Sequence, residues 1–146
     1  MGVPRSCWHT QRMGKPTEAI EREGADTDVI SLTIPSATRF VRLARIGVAS
    51  LARRKGMSVR SIDDLRLAMD ETFALLLGDV DRPGAVDVTF EVDDHELAVI
   101  VVARLADGPP VIAEDDRTRF DVLLEDLVDR FDVDDDRGAV QFSKLL

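Results

Sequence analysis

A single cysteine, Cys7, stands among the 146 residues, so no internal disulfide framework holds this fold. Histidine is almost as scarce. His9 and His95 are the only two, and a zinc site built on Cys7 and His9 needs a further cysteine or histidine group at ligand spacing that the chain does not offer. The reading is that no metal site is present. No apolar run reaches the length of a membrane-crossing helix or a signal-peptide core, which gives the expectation of a cytoplasmic protein without membrane contact. Acid is missing from one stretch altogether: no Asp or Glu lies between Asp28 and Asp63, where Arg39, Arg42, Arg45, Arg53, Arg54, Lys55 and Arg60 fall.

That gap makes the charge lopsided. Residues 1–62 carry 11 basic and 5 acidic side chains and residues 63–146 carry 8 and 23, for a net charge of −9. A DNA-binding first helix is conceivable. The acidic remainder, however, repels a polyphosphate, and few aromatics accompany the arginines, so no direct nucleic-acid partner is expected. Either the basic helix balances an acidic one within the fold, or Arg39, Arg42 and Arg45 meet an acidic protein surface, where charge tunes rate and choice of partner.

What is present organises into one domain. The length and a hydrophobic content of 45% suffice for one core and give no reason for two. Residues 1–27 mix Gly2, Pro4, Gly14, Pro16 and Gly24 with polar residues and keep no period, so they read as a flexible extension, and Met13 is an alternative start. The domain runs over residues 28–146. Ile30, Leu32 and Ile34 alternate in a strand that ends at Pro35. Ser36 is then placed to cap a helix reaching Arg54, with Phe40, Leu43, Ala44, Gly47 and Leu51 on its apolar side.

Gly56 ends that helix, and Ser61 is expected to cap the next, with Asp63 and Asp64 in its first turn. Asp81 to Gly84 is a turn. Alternating Val86, Val88, Phe90 and Val92, the reversal Asp93-Asp94-His95 and the apolar run from Leu97 to Ala103 make a hairpin. Phe120, Leu123, Leu124, Leu127, Val128 and Phe131 mark an amphipathic helix. The stretch from Asp132 to Gly138 fails as an EF-hand, because its glycine falls one place late and position twelve is Ser143, and reads as a polar turn. Val140 and Phe142 lie in a last strand. The order of strand, helix, helix, hairpin, helix, strand predicts an α+β two-layer sandwich, a mostly antiparallel sheet with the helices on one face.

The second helix carries the main functional signal. In SVRSIDDLRLAMDETFALLLGD, Ser58 to Asp79, steps of about 100° put Ile62, Leu65, Met69, Phe73 and Leu76 on one side and Leu67, Ala68, Glu71, Ala74 and Leu75 on the other. A helix apolar nearly all round is expected to be covered on both faces, so Glu71 should lie beneath a ligand, a lid, a partner or more of the same fold.

Asp64 to Asp79, DLRLAMDETFALLLGD, resembles the N-box helix of the RsbW-like anti-sigma factors, small serine kinases of the GHKL or Bergerat-fold, histidine kinase-like ATPase group. The preceding IPSATRFVRLARIGVASLARRKG resembles their first helix. In that family the domain captures a sigma factor, phosphorylates a serine of an anti-anti-sigma partner of the STAS type with ATP and magnesium, and so switches partners. By the resemblance Glu71 matches the family's general base, and Leu75 stands where the magnesium-binding asparagine belongs.

The resemblance matches Ala106-Asp107-Gly108-Pro109-Pro110 to the adenine-recognising box, with Ala106 in place of the aspartate and Pro110 in place of the second glycine. Ala113 to Arg117 takes the place of the glycine-rich lid, and Gly138-Ala139 that of the terminal Gly-Thr. Leu75, Asp107, Gly108 and Gly138 are thus expected to line a degenerate nucleotide pocket that needs no cofactor, with ATP and magnesium required only if the site works. The implied function is a homodimeric, pseudokinase-like regulator of transcription that binds a sigma factor or its antagonist. The alternative is an active serine/threonine kinase using Glu71.

Overall fold

The computed structural model describes residues 27–146; the extension before them, with Cys7, Trp8 and His9, lies outside the described residues. β1 (Asp28–Pro35) is followed by a 3-10 turn (Thr38–Phe40), α1 (Val41–Arg54) and α2 (Val59–Leu77). The hairpin of β2 (Gly84–Val92) and β3 (Glu96–Leu105), then α3 (Glu114–Leu127), β4 (Arg130–Asp134) and β5 (Ala139–Leu145) complete the chain. The strands form one sheet in the order β1-β2-β3-β5-β4, and every neighbouring pair is antiparallel. This is the expected α+β two-layer arrangement.

Alternation along each strand sends one set of side chains to the helices. Val86, Val88 and Phe90 of β2, Val99 and Val101 of β3, and Val140 and Phe142 of β5 pack with Ala44 and Val48 of α1, Leu65, Met69 and Phe73 of α2, and Phe120 and Leu124 of α3. Small residues bring α1 close to the sheet: the ring of Phe90 lies 3.1 Å from the place a Cβ at Gly47 would take. Lys144 joins the two layers. Its Nζ donates to the carbonyl of Leu127 at 2.7 Å, at the negative end of α3, and pairs with Asp64 of α2 at 3.3 Å.

Several boundaries differ from the expectation. Ser36 caps nothing; its hydroxyl donates to the carbonyl of Arg82, and α1 starts at Val41 after the 3-10 turn, with no side-chain cap. Ser58, not Ser61, caps α2, accepting from the Ser61 amide at 3.1 Å, so Asp63 and Asp64 fall outside its first turn. The buried stripe of α1 is Ala44, Val48 and Ala52, while Leu43 is 48% exposed. α3 ends at Leu127, and Phe131 belongs to β4, a strand the periodicity hid. The polar turn shrinks to the four residues after Asp134, between β4 and β5.

The face of the sheet away from the helices carries a polar cluster on β1, β2 and β3. Thr33 Oγ1 donates to Asp87 at 2.7 Å, and Arg104 holds the same carboxylate with Nη2 at 3.1 Å and also through Nε. The hydrogen bonds from Arg104, ahead of that from Thr33 and against partial burial, keep the Asp87 carboxyl below its ordinary pKa. A carboxyl depressed in the folded state stabilises the fold above its unfolded pKa, near 3.9, and that stabilisation is lost as pH falls through the folded value. Asp87→Asn is therefore expected to leave stability at neutral pH changed by less than about 1 kcal/mol, because the pair is solvent-exposed. It should flatten the loss of stability below about pH 4, as read by urea melts between pH 2 and pH 7.

Candidate functional site

α2 sets the site. With Ile62, Leu65, Met69, Phe73 and Leu76 buried against the sheet, a helical period of 3.6 turns Glu71 to the side of the helix that meets α3. There Arg119 Nη1 of α3 lies 3.3 Å from Glu71 Oε1, and the two side chains are 67% and 17% exposed. Thr72, the next residue, is fully buried and spends its hydroxyl on the carbonyl of Ala68 at 2.8 Å. What lies over Glu71 among the described residues is thus a guanidinium. The expectation that α2 is covered all round holds only in part, because Leu67 is 43% exposed and Ala74 is exposed as well.

One turn beyond Glu71, Leu75 is half-buried and packed against the hydrophobic core. Magnesium takes oxygen ligands, and this position offers an isobutyl group. After β3 the chain crosses to α3 in only eight residues, 106–113. The amide of Ala106 donates to the carbonyl of Pro83 at 2.9 Å, and that of Gly108 to Leu105 at 3.2 Å. Asp107 turns its carboxylate to Arg82 Nη2, at 3.2 and 3.3 Å. Pro110 is buried against Gly138, whose carbonyl accepts from the amide of Ala103 at 2.9 Å. Gly138 has φ +61°, and a Cβ there would lie 2.5 Å from Pro110 Cδ.

The segment matched to a phosphate-covering lid is the start of a helix instead. Glu114, Asp115 and Asp116 form the first turn of α3, where the positive end of the helix dipole favours carboxylates, and their charge repels a phosphate. Arg117 ties that turn to the β4–β5 connection by pairing with Asp121 at 3.2 Å and Asp135 at 3.1 Å. The structure places Gly138 and Pro110 together and Glu71 beside Leu75, while Asp107 is engaged elsewhere. One carboxylate already paired with arginine, an isobutyl group and an acidic helix start do not fit a metal-bound triphosphate.

The three arginines expected to meet a partner, Arg39, Arg42 and Arg45, divide. Arg39 pairs with Asp81 at 3.1 Å and lies over the Phe40 ring, 4.9 Å from its centre. Arg45 reaches Asp70 of α2 at 3.4 Å, which fastens α1 to α2. Arg42 is exposed and makes no ion pair among the described residues. It opens an outward stripe of α1 that also holds Leu43, Ile46, Ser50, Arg53 and Arg54, all exposed and within about a third of the helix circumference. Leu43 and Ile46 are 48% and 53% exposed, so two large apolar side chains stand in water between cations.

The chain is similar to the serine-protein kinase RsbW of Oceanobacillus iheyensis. The two are 24% identical over 80 residues, 53% of this chain and 51% of that protein; the chain thus spans about half the length of the curated relative it matches. No family model matches. The likeness supports a distant RsbW-like relationship for a chain whose fold is α+β. No helix among the described residues is long and apolar enough to cross a membrane.

Two features of the site escaped the sequence reading. Arg119 was the first, although Arg117 and Arg119 are the only basic residues between Arg104 and Arg130, a signal that one of them answers an acid on a neighbouring helix. The outward pair Leu43 and Ile46 was the second. Both lie off the stripe of Ala44, Val48 and Ala52, and small residues at that spacing mark the side of a helix that comes closest to a sheet.

Proposed function

We propose that the protein is a regulatory binding protein of the anti-sigma type, which controls transcription by holding a sigma factor or an anti-anti-sigma antagonist, with a nucleotide site that has lost its grip on ATP and magnesium. The observation that carries this reading is the outward stripe of α1, with Arg42, Leu43 and Ile46 in solvent and unused by the fold. Apolar side chains ringed by cations suit an acidic, amphipathic partner surface. The likeness to a protein named serine-protein kinase RsbW gives the partner class, and a homodimer belongs to the same proposal. Glu71 keeps the position of a base, but Arg119 engages it and Leu75 stands beside it.

Affinity purification of the tagged full chain from cells that express the candidate sigma factors and STAS-type antagonists tests the binding. A stoichiometric complex with one of them is expected, and recovery of the chain alone from every such pairing defeats the reading. Loss of nucleotide binding is tested by thermal melts with ATP and magnesium. A ligand at about 100 times its dissociation constant adds about 2.7 kcal/mol to a protein that binds it only when folded. No rise in midpoint beyond about 1 °C is expected at millimolar ATP, against several degrees for a working site. Transfer of labelled phosphate to a partner, lost on Glu71→Gln, would instead establish the kinase.

A further inference from the structure

The outward sides of α1 and α3 repeat one spacing with opposite charge. Opposite the buried Ala44, Val48 and Ala52, α1 presents Arg42, Leu43, Ile46, Ser50, Arg53 and Arg54 to solvent. Opposite the buried Phe120, Leu124 and Leu127, α3 presents Glu114, Asp115, Thr118, Val122, Glu125 and Asp126. Both sets advance in steps of one, three, four, three and one residues, so each helix carries charge at its two ends and uncharged side chains between. The charges are arginines on α1 and carboxylates on α3, and none of them makes an ion pair among the described residues. Ile46 and Val122, near the middle of their stripes, are 53% and 58% exposed.

These faces cannot meet within one molecule, because α2 lies between them: Asp70 pairs with Arg45 of α1, and Glu71 with Arg119 of α3. We propose that they meet between two copies, as the interface of a symmetric dimer stacked helix layer on helix layer, with α1 of each copy on α3 of the other. The helix directions agree. Lys144 bridges Asp64, early in α2, to Leu127 at the end of α3, while Glu71, further on, meets Arg119 near the start of α3. So α3 is antiparallel to α2, and α1, which turns back into α2 through residues 55–58, is antiparallel to it too. A two-fold axis along α2 therefore lays α1 on the other copy's α3 in the same direction. Arg42 then falls at Glu114 and Asp115, Arg53 and Arg54 fall at Glu125 and Asp126, and Ile46 lies beside Val122.

An axis across the helices would instead stack α1 on α1 and α3 on α3, like charge on like. Along the axis that charge selects, Leu67, 43% exposed, and Ala74 of the two α2 helices face their own copies. Three helices about 10 Å apart and about 21 Å long offer about 600 Å² in each copy, so the pair buries about 1,200 Å², the lower end for a specific interface. The dimer conceals the α1 stripe. If that stripe also holds a regulator, the second copy competes with the regulator for the same arginines, and self-association sets how much of the protein is free to bind. This consequence rests on the regulatory reading of α1; the pairing of copies does not.

Sedimentation of the full chain between about 1 and about 100 μM tests the pairing, and a monomer–dimer equilibrium is expected in that range. Arg53→Glu with Arg54→Glu, and separately Glu125→Arg with Asp126→Arg, are each expected to raise the dimer dissociation constant at least about tenfold. All four residues are exposed, so the core is untouched. Mixed in equal amounts, the two variants are expected to form a heterodimer within about threefold of the original affinity, because each reversed helix finds its complement in the other chain. The α3 variant, monomeric with α1 bared, is expected to bind the regulator at least as tightly as the unmodified chain; weaker binding would overturn the competition. A monomer throughout the range, a dimer indifferent to either reversal, or no dimer in the mixture would each overturn the pairing itself. Capture of no regulator beside an intact dimer would defeat only the regulatory reading of α1.

Discussion

Gly138→Val is expected to destabilise the protein by about 2–5 kcal/mol, combining about 1–2 kcal/mol for a branched residue in the left-handed region with about 1–3 kcal/mol for an overpacked contact. The cause is local and twofold. Gly138 sits at φ +61°, and the Cβ of any other residue would lie 2.5 Å from Pro110 Cδ and 3.2 Å from the carbonyl oxygen of Ala103. Pro110 is buried and its ring is stiff, so the strain passes to the turn between β4 and β5 and to the end of β3. Thermal melts should show a midpoint lowered by more than about 10 °C. A loss below about 2 °C would mean that the 106–113 connection yields freely and does not pin the sheet to α3. Gly138→Ala should fall between, with the same backbone strain and a smaller collision.

Ile46→Glu is expected to weaken the proposed complex with a sigma factor or its antagonist by about 2–4 kcal/mol, roughly thirtyfold to a thousandfold, with folding stability changed by no more than about 0.5 kcal/mol. The two effects separate because Ile46 is 53% exposed and contributes little to the core, while an acid in the centre of the α1 stripe both removes apolar contact and repels an acidic partner. Arg42→Ala should act differently. Its loss should lower the association rate, and the deficit should shrink as salt is raised. Calorimetry and stopped-flow binding on the purified pair read both. Unchanged affinity in Ile46→Glu would move the docking surface off α1.

The layered fold could be read from the chain because most elements announced themselves by pattern: alternation in β1 and β2, an unbroken apolar run in β3, and a buried 3.6-residue stripe in α2 that the structure reproduces at all five positions. β4 could not. Phe131 falls three and four residues beyond Val128 and Leu127, a helical spacing, and the strand is only five residues with an arginine and two acids alternating around Phe131 and Val133. Its strand character comes from pairing with β5, where Phe131 stands opposite Phe142 and Val133 opposite Val140, a long-range fact no local pattern holds.

The site divides in the same way. That Glu71 lies under something was legible from its apolar neighbours; that the cover is Arg119, 48 residues on, was not. Likewise Arg39, Arg42 and Arg45 looked alike until Asp81 and Asp70 claimed the first and third.

Leu75 has a consequence for what this scaffold could become. Its side chain rests on the core, so exchanging it for an amide would first strip apolar contacts and strand a polar group, a deficit of about 1–3 kcal/mol before any metal could compensate. The proline at 110, wedged against Gly138, and the carboxylates that satisfy the start of α3 raise similar hurdles, each separately and each ahead of any gain in turnover. A lineage that reached this arrangement stands in a valley with steep walls: single substitutions toward phosphate chemistry are penalised one by one, whereas exchanges on the exposed face of α1 leave folding nearly untouched and change only what that face can hold.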